Sequence, residues 1–490
     1  MVTTIIFIHG WSVSNLDTYG DLPLRLQAEA QQNNIDIQVE EIFLGRYISF
    51  HDVVSVTDIS RAFEYAMNEK LGTSKKRCIC ITHSTGAPVV RAWWQKYYSE
   101  DIPPISHLIM LAPANFGSAL AILGKGKLGR MKAWFDNVEP GQKVLDWLEL
   151  GSKQACDLNK KWILSDGSQI GPNGIFPFVL TGQSIDRSLY DALNSYTGEL
   201  GSDGVVRTSS ANLNATYIKM SQEITVPVST TYSLTSELKI TAYKESPKTP
   251  LRVIKGKSHS GDVMGIMKSV QKSSTDVASA ETIEAIFDCI KVKNAADYNQ
   301  VIKKFKSETE AIQKEERIEE VTDIFTSARI FIHDRYSQVI FRISDSEGFP
   351  VTDYDLLLTA GNNDPNLLPI GFAADRQRNS KNPETLTYYF NYDVLKNGSF
   401  ETDFKDKITT LGLQIHPRPT EGFVRYVPCQ ISANSELLDK VFKPNSTTLI
   451  DIVLHRVVSR DMFRFEACNP TKIELSFKDT EWKDKNIIQS

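Results

Sequence analysis

One stretch, residues 77–90 (RCICITHSTGAPVV), constrains the fold more than any other part of the chain. The apolar run at 78–81 is typical of a short buried strand, and the apolar residues that follow Gly86 recur at helical spacing. Ser84 is therefore predicted on a sharp strand-to-helix turn, the kind that raises a nucleophile above a sheet. The alternative at this point is an ordinary strand–turn–helix with a surface serine.

Strands and helices alternate along residues 1–290. Apolar strand candidates lie at 4–8, 35–44, 78–81 and 107–111, and helical stretches separate them. This alternation favours an α/β fold with a parallel sheet covered by helices on both faces. Because ligands of such sheets bind at the carboxyl ends of the strands, a functional site is expected where these strands end.

Two insertions interrupt the pattern. A segment at about 117–174 is predicted to form a helical lid, because it leaves the end of a sheet strand. Four basic side chains of this segment are interleaved with apolar ones. The apolar residues are Leu128, Met131, Trp134 and Phe135. Such a surface can contact an anionic membrane, or it can pack its apolar face against the body of the protein. A second stretch at about 215–245 is rich in Thr, Ser and Val and predicts a β-hairpin.

The C-terminal part has a different organisation. Residues 291–326 are predicted to form a charged helical linker, because residues 291–320 carry seven basic and seven acidic side chains around an apolar stripe. Apolar residues then alternate with polar ones, and turn signals separate the runs, which predicts a β-sandwich accessory domain at 327–470. Residues 471–490 are assigned to a tail.

Composition excludes several classes of protein. The net charge of −5, without a long run of Lys and Arg, argues against a nucleic-acid partner. Six cysteines are sparse for 490 residues and show no metal-ligand spacing, so buried reduced thiols are expected and neither a metal nor another cofactor is predicted.

The N-terminal sequence leads directly into an apolar strand, without a basic start or a small-residue cleavage site. No segment approaches about 18 uninterrupted apolar residues. We therefore expect a soluble chain made in the cytoplasm, with export by a signal-peptide-independent system left open.

A serine nucleophile needs a neighbouring base, and the base needs a carboxylate that orients it. The chain offers Ser84, Asp203 and His259 in the serine–acid–histidine order of α/β-hydrolases. Asp186 and Asp191 compete for the role of the acid, but Gly204 favours Asp203 because it allows a tight turn that exposes the carboxylate.

An oxyanion hole needs two backbone N–H groups directed at the developing charge. Thr85, directly after the nucleophile, is one candidate, and Trp11, in the loop after the first strand, is the other. His9 is expected to be a structural histidine of that loop.

Four segments together resemble the signature segments of α/β-hydrolase lipases and esterases: 7–11 (FIHGW), 82–86 (THSTG), 111–118 (LAPANFGS) and 202–206 (SDGVV). The resemblance covers about residues 1–290. It implies serine ester hydrolysis through an acyl-enzyme. Thr82 departs from the family pattern, which usually has glycine at this place.

We therefore expect a carboxylic-ester hydrolase, a lipase or phospholipase acting on membrane lipids with transient contact to the membrane surface. An acyltransferase or thioesterase with the same triad, or a catalytically silent binding protein of the same fold, is the alternative. More loosely, a lipase with a lid, an added domain and no signal peptide resembles bacterial phospholipase effectors delivered as toxins, which implies a secretion-apparatus or immunity partner.

Overall fold

The computed structural model describes ten stretches of the chain, and the statements below refer to them. They are residues 3–8, 19–42, 53–71, 77–121, 141–185, 200–223, 236–272, 277–321, 329–398 and 407–459.

A six-stranded sheet with the order β2-β1-β3-β4-β5-β8 forms the N-terminal half, and every neighbouring pair in it is parallel. The elements of this half are, in chain order, β1 (Thr3–Ile8), α1 (Leu22–Gln32), β2 (Ile37–Ile42), α2 (Val56–Leu71), β3 (Cys78–His83), α3 (Gly86–Tyr97), β4 (Ile105–Leu111), α4 (Gln142–Leu148), α5 (Lys153–Leu164), β5 (Phe176–Thr181), α6 (Thr208–Ala211), β6 (Thr216–Glu223), β7 (Ser236–Glu245), β8 (Leu251–Val253) and α7 (Val277–Ile290).

Helices cover both faces of this sheet. Alternate residues of a strand point to opposite faces, and the residues of β1 accordingly divide between two cores. Ile6 packs in the core that contains Phe63 of α2, whereas Phe7 packs in the core that contains Leu26 of α1. The predicted α/β fold with a parallel sheet is confirmed.

The C-terminal half continues with α8 (Ala295–Glu315), β9 (Ile318–Val321), β10 (Arg329–Ile332), β11 (Tyr336–Asp345), β12 (Tyr354–Thr359), β13 (Ala373–Arg378), β14 (Thr385–Asn391), α9 (Tyr392–Asn397), β15 (Leu411–Pro417), β16 (Val424–Arg425), β17 (Cys429–Asn434), α10 (Ser435–Val441), β18 (Ser446–Leu454) and β19 (Val457–Val458). Its main sheet has nine strands in the order β12-β15-β17-β7-β6-β18-β11-β14-β13. The C-terminal β-rich domain is thus confirmed, and its main strands belong to one mixed sheet of parallel and antiparallel pairs.

The hairpin of β6 and β7 lies in the middle of this second sheet. β6 pairs in parallel with β18, with Thr216 opposite Thr448, and β7 pairs in parallel with β17. The two stretches of chain share one core, in which Ile218 of β6 packs with residues of β11 and β18. The second sheet therefore contains strands that precede β8, the last strand of the first sheet.

Helix α8 packs against the first sheet along its apolar stripe. Tyr298 and Phe305 are buried in the core beneath that sheet, and the Tyr298 hydroxyl donates to the Pro177 carbonyl at 2.8 Å. Thr309 Oγ1 accepts a hydrogen bond from the backbone N–H of Val253 at 3.0 Å. Among the charged residues of this helix, Lys303 and Lys306 are exposed, whereas Glu308 pairs with the buried Arg252 of β8.

An ion-pair cluster joins the second sheet to α5. Arg342 donates to Asp451 through Nε at 2.7 Å and Nη2 at 2.9 Å, and to Asp157 through Nη1 at 3.1 Å. Lys160 adds a second cation 2.6 Å from Asp451. Burial raises the pKa of Asp451, but hydrogen bonds from Arg342 and Lys160 outweigh it and lower the pKa of that carboxyl below its ordinary value.

Within the described stretches no helix has the length and apolar composition needed to cross a membrane. The same stretches contain no group of three or more His, Cys, Asp or Glu side chains arranged to hold a metal ion.

Candidate active site

Ser84 lies on the turn between β3 and α3, at the carboxyl end of the first sheet. Its φ of 53° is in the left-handed region, which side chains other than glycine seldom adopt. The Ser84 N–H donates to the Leu111 carbonyl at 3.0 Å, and its own carbonyl accepts from the Ala114 N–H at 3.3 Å. These contacts hold the backbone in the conformation that a nucleophile elbow requires.

Thr82, which stands where related enzymes usually have glycine, is accommodated inside β3. It pairs with Met110 of β4 and is fully buried. Its hydroxyl is buried without a hydrogen-bond partner. The larger side chain therefore leaves the elbow intact.

The three residues predicted from chain order meet at this elbow. Ser84 Oγ lies 3.1 Å from His259 Nε2, and His259 Nδ1 lies 2.9 Å from Asp203 Oδ2. All three side chains are buried. Since the Asp203 carboxylate can only accept, the proton between them belongs to Nδ1, and Nε2 is left as the acceptor for the serine hydroxyl.

Asp203 is held by its own loop. Asp203 Oδ1 accepts from the N–H groups of Val205 at 3.0 Å and Val206 at 2.7 Å. The backbone carbonyl of Asp203 accepts from the His259 N–H at 2.8 Å, so the acid and the histidine are joined through the main chain as well. The direction of the carboxylate therefore follows the conformation of this loop.

His83 is a contact of the site that the sequence analysis did not assign. Its Nε2 lies 3.1 Å from the His259 carbonyl, and the two rings are 4.7 Å apart. The only signal for it in the sequence is its place directly before Ser84. His83 links the end of β3 to the loop that carries His259.

The segment after β4 is tied to the elbow by buried polar groups. Asn115 accepts from Arg91 Nη1 of α3 at 3.0 Å and donates to the Ala211 carbonyl of α6 at 2.7 Å. Burial lowers the pKa of Arg91 to about 9. These bonds connect α3, the strand-end segment at 112–115 and α6.

Thr85, the first oxyanion candidate, is buried and forms the N-cap of α3. A small apolar hollow of about 10 Å³ opens beside it and is lined by Val56, Ile59, Thr85, Pro88, Val89, Val144, Trp147 and Leu148. Apart from Thr85, the residues that line it are apolar.

Several predicted site residues lie outside the described stretches. They are the second oxyanion candidate, the competing acids, the loop histidine and the apolar lid residues: Trp11, Asp186, Asp191, His9, Leu128, Met131, Trp134 and Phe135. Of the predicted lid at about 117–174, the described part contains α4 and α5.

The parallel sheet, with a serine, a histidine and an aspartate hydrogen-bonded at its strand ends, defines an α/β-hydrolase of the serine ester hydrolase class. No family model and no curated protein matches the chain. Among solved structures, phospholipase PlaB from Legionella pneumophila is 41% identical, with 97% of this chain and 98% of that chain covered and a TM-score of 0.85. Its complex with thio-NAD matches at 40% identity over 96% and 98%, also with a TM-score of 0.85.

The mature lipase BlEst2 from Bacillus licheniformis is 17% identical and matches 43% of this chain and 79% of that chain, with a TM-score of 0.33. At 40% identity over nearly the whole of both chains, the match to PlaB decides the relationship. The chain belongs to the PlaB phospholipase family.

Proposed function

We propose that the protein hydrolyses carboxylic esters of membrane lipids, as a lipase or phospholipase, through Ser84, His259 and Asp203. The observation that supports this proposal most is the hydrogen-bonded series from Ser84 Oγ to His259 Nε2 and from His259 Nδ1 to Asp203. The family supports the substrate class, because the similar structures are those of a phospholipase.

In the first half-reaction, His259 Nε2 takes the proton of the Ser84 hydroxyl while Oγ attacks the ester carbonyl carbon. The Thr85 N–H is one donor to the oxyanion, and Trp11 is the expected second donor. The tetrahedral intermediate collapses when the imidazolium gives its proton to the leaving alcohol. The acyl group then remains on Ser84.

In the second half-reaction water takes the place of the alcohol. His259 Nε2 accepts a proton from the water as its oxygen attacks the acyl carbon, and returns a proton to Ser84 Oγ as the fatty acid leaves. Asp203 orients the imidazole and stabilises its positive charge in both halves.

Access to lipid is assigned to the predicted lid. Its apolar residues, with Trp134 and Phe135 among them, would contact the bilayer surface, and the neighbouring lysines and arginine would favour anionic head groups. Delivery by a secretion apparatus and binding of an immunity protein stay predictions from the resemblance.

The test is product analysis on phospholipid vesicles. We expect wild-type protein to release free fatty acid and Ser84→Ala to lose turnover by a factor on the order of 10⁶ while remaining folded. Ser60→Ala is the matched control, because Ser60 is also buried but its hydroxyl bonds to the Val56 and Val89 carbonyls and to no member of the proposed triad.

The same assay separates the alternatives. Transfer of the acyl group to an added alcohol or thiol in preference to water would identify an acyltransferase. Failure of folded protein to react with a fluorophosphonate probe would identify a silent binding protein.

A further inference from the structure

The loop that carries the acid is held from outside the hydrolase sheet. Within it, the Thr208 N–H donates to the Gly201 carbonyl at 2.9 Å, and Ser202 forms a bridge with Arg207. These contacts close the loop around Asp203. Its two ends, near Gly201 and Arg207, both lie against strands of the second sheet.

At the first end the contact is made by Tyr389 of β14. Its hydroxyl lies 3.0 Å from the Leu200 carbonyl and 3.1 Å from the Gly201 carbonyl, so its one proton is shared between them. The ring is fully buried and stacks on Tyr336 at 4.5 Å. A Cβ on Gly201 would lie 2.5 Å from both tyrosines. The loop and the strands are therefore so close at this point that only glycine fits without a shift.

At the second end Arg207 is almost completely buried against the same strands. Its guanidinium lies 4.1 Å from the centre of the Tyr389 ring, forms an ion pair with Asp375 of β13, and donates to Gln338 of β11 at 3.3 Å. Gln338 also accepts from Ser210 Oγ at 3.0 Å, one turn further on. The guanidinium is planar, has five N–H donors and is contacted on three sides. The end of the loop at Arg207 therefore has little freedom to move.

The same edge of the second sheet also contacts the base of the predicted lid. Gln377 of β13 donates to the Ala119 carbonyl at 3.3 Å, and Ser380 Oγ donates to the buried carboxylate of Glu149 at 2.7 Å. The edge formed by β13 and β14 therefore contacts both the loop of Asp203 and the base of the predicted lid.

Because Asp203 Oδ1 is bonded to N–H groups of its own loop, a shift of this loop is a shift of the carboxylate. We propose that Tyr389 and Asp375 of the C-terminal domain are positioning residues for ester hydrolysis, since they fix the loop that aims Asp203 at His259. This rests on the proposed role of Asp203. A displacement of about 1 Å at a catalytic group can cost a factor on the order of 100 in rate.

The test compares Tyr389→Phe and Asp375→Asn with wild type on a short soluble p-nitrophenyl ester, with rates expressed per folded molecule. Matched controls are Tyr388→Phe, whose ring stacks on Phe390 and packs against the core that contains Ile218, and Asp355→Asn, which removes an exposed ion pair at the far edge of the sheet. We expect kcat to fall roughly 10- to 100-fold in the first two variants, with KM and the controls unchanged.

The proton NMR spectrum gives the second readout. The downfield Nδ1–H resonance of His259, which depends on its bond to Asp203, should weaken or shift in Tyr389→Phe and stay in Tyr388→Phe. Asp375 is partly exposed, so Asp375→Asn carries the test if Tyr389→Phe does not fold.

Folded Tyr389→Phe and Asp375→Asn with kcat within twofold of wild type would overturn the proposal. Asp203→Asn is assayed beside them. If Asp203→Asn stays active, the triad itself is misassigned; if it is inactive while the other two are unimpaired, only the positioning role fails.

Discussion

Asp203 Oδ2 lies 2.9 Å from His259 Nδ1, although 56 residues separate them in the chain. This bond selects the tautomer in which Nε2 can accept the Ser84 proton. In Asp203→Asn the amide can present an N–H to Nδ1 and favour the wrong tautomer. We expect kcat to fall by about 10⁴ with the fold retained, measured on a soluble ester.

Asp186→Asn is the comparison for that variant, since Asp186 is one of the two competing candidates for the acid. It should retain far more activity. The opposite ranking would show that the acid has been misplaced.

The grouping of Ser84, Asp203 and His259 could be predicted from the sequence, because each lies beside a recognisable pattern of strand, turn or helix. The places of Trp11 and of the lid residues stay predictions. Ser84 follows an apolar strand and precedes a helix, and the chain order of Ser84, Asp203 and His259 is that of the hydrolase family. The second sheet was predictable only as a set of strands. Its central pairing, Thr216 with Thr448, joins segments on either side of β8, and a period of two does not identify partners so far apart.

The residues around the acid loop were missed for a related reason. Arg207 and Tyr389 meet because two sheets pack together, and nothing in the sequence near either residue reports the other. The burial of Arg207 can be recognised only in the folded structure, where the Tyr389 ring and the Asp375 carboxylate contact it.

His107 should make the stability of the protein depend on pH. It is buried, with Nε2 2.8 Å from the Val292 carbonyl and Nδ1 2.8 Å from Ser106 Oγ, and burial lowers its pKa to about 4. The unfolded chain binds the proton near pH 6.5, so stability is complete above that pH and is lost as the pH falls towards 4. The expected loss between pH 7 and 4.5 is about 2–3 kcal/mol.

Urea unfolding at both pH values measures this effect. His107→Gln should lose this part of the pH dependence, whereas His416→Gln should keep it, because His416 is exposed. Equal pH dependence in wild type and His107→Gln would show that another group is responsible.

The ion pair of Arg342 with Asp451 should matter for stability. Asp451→Asn leaves the guanidinium buried with a weaker partner, and we expect the free energy of unfolding to fall by roughly 2–4 kcal/mol. Asp353→Asn breaks a pair that Arg418 forms at an exposed site, and we expect it to lower the free energy of unfolding far less. Chemical denaturation measures the free energy of unfolding of both variants. Equal losses would show that burial of the Arg342–Asp451 pair does not increase its contribution to stability.

The predicted lid provides a test of interfacial action. Trp134→Ser combined with Phe135→Ser should lower activity on vesicles while largely sparing a short soluble ester, because apolar burial at the interface contributes about 25 cal/mol per Å². If these residues instead form the lid core, both activities and the thermal stability should fall together. Equal loss on the two substrates would rule out the interfacial role.

The central claim is that Ser84 carries the acyl group during turnover. Its direct test is mass spectrometry of protein quenched in acid while it turns over p-nitrophenyl butyrate and, separately, a short-chain phosphatidylcholine. We predict one butyryl group with the first substrate and one fatty acyl group with the second, each on the peptide that contains Ser84, and none in Ser84→Ala. An adduct on a different residue, or undiminished turnover by Ser84→Ala, would contradict the account.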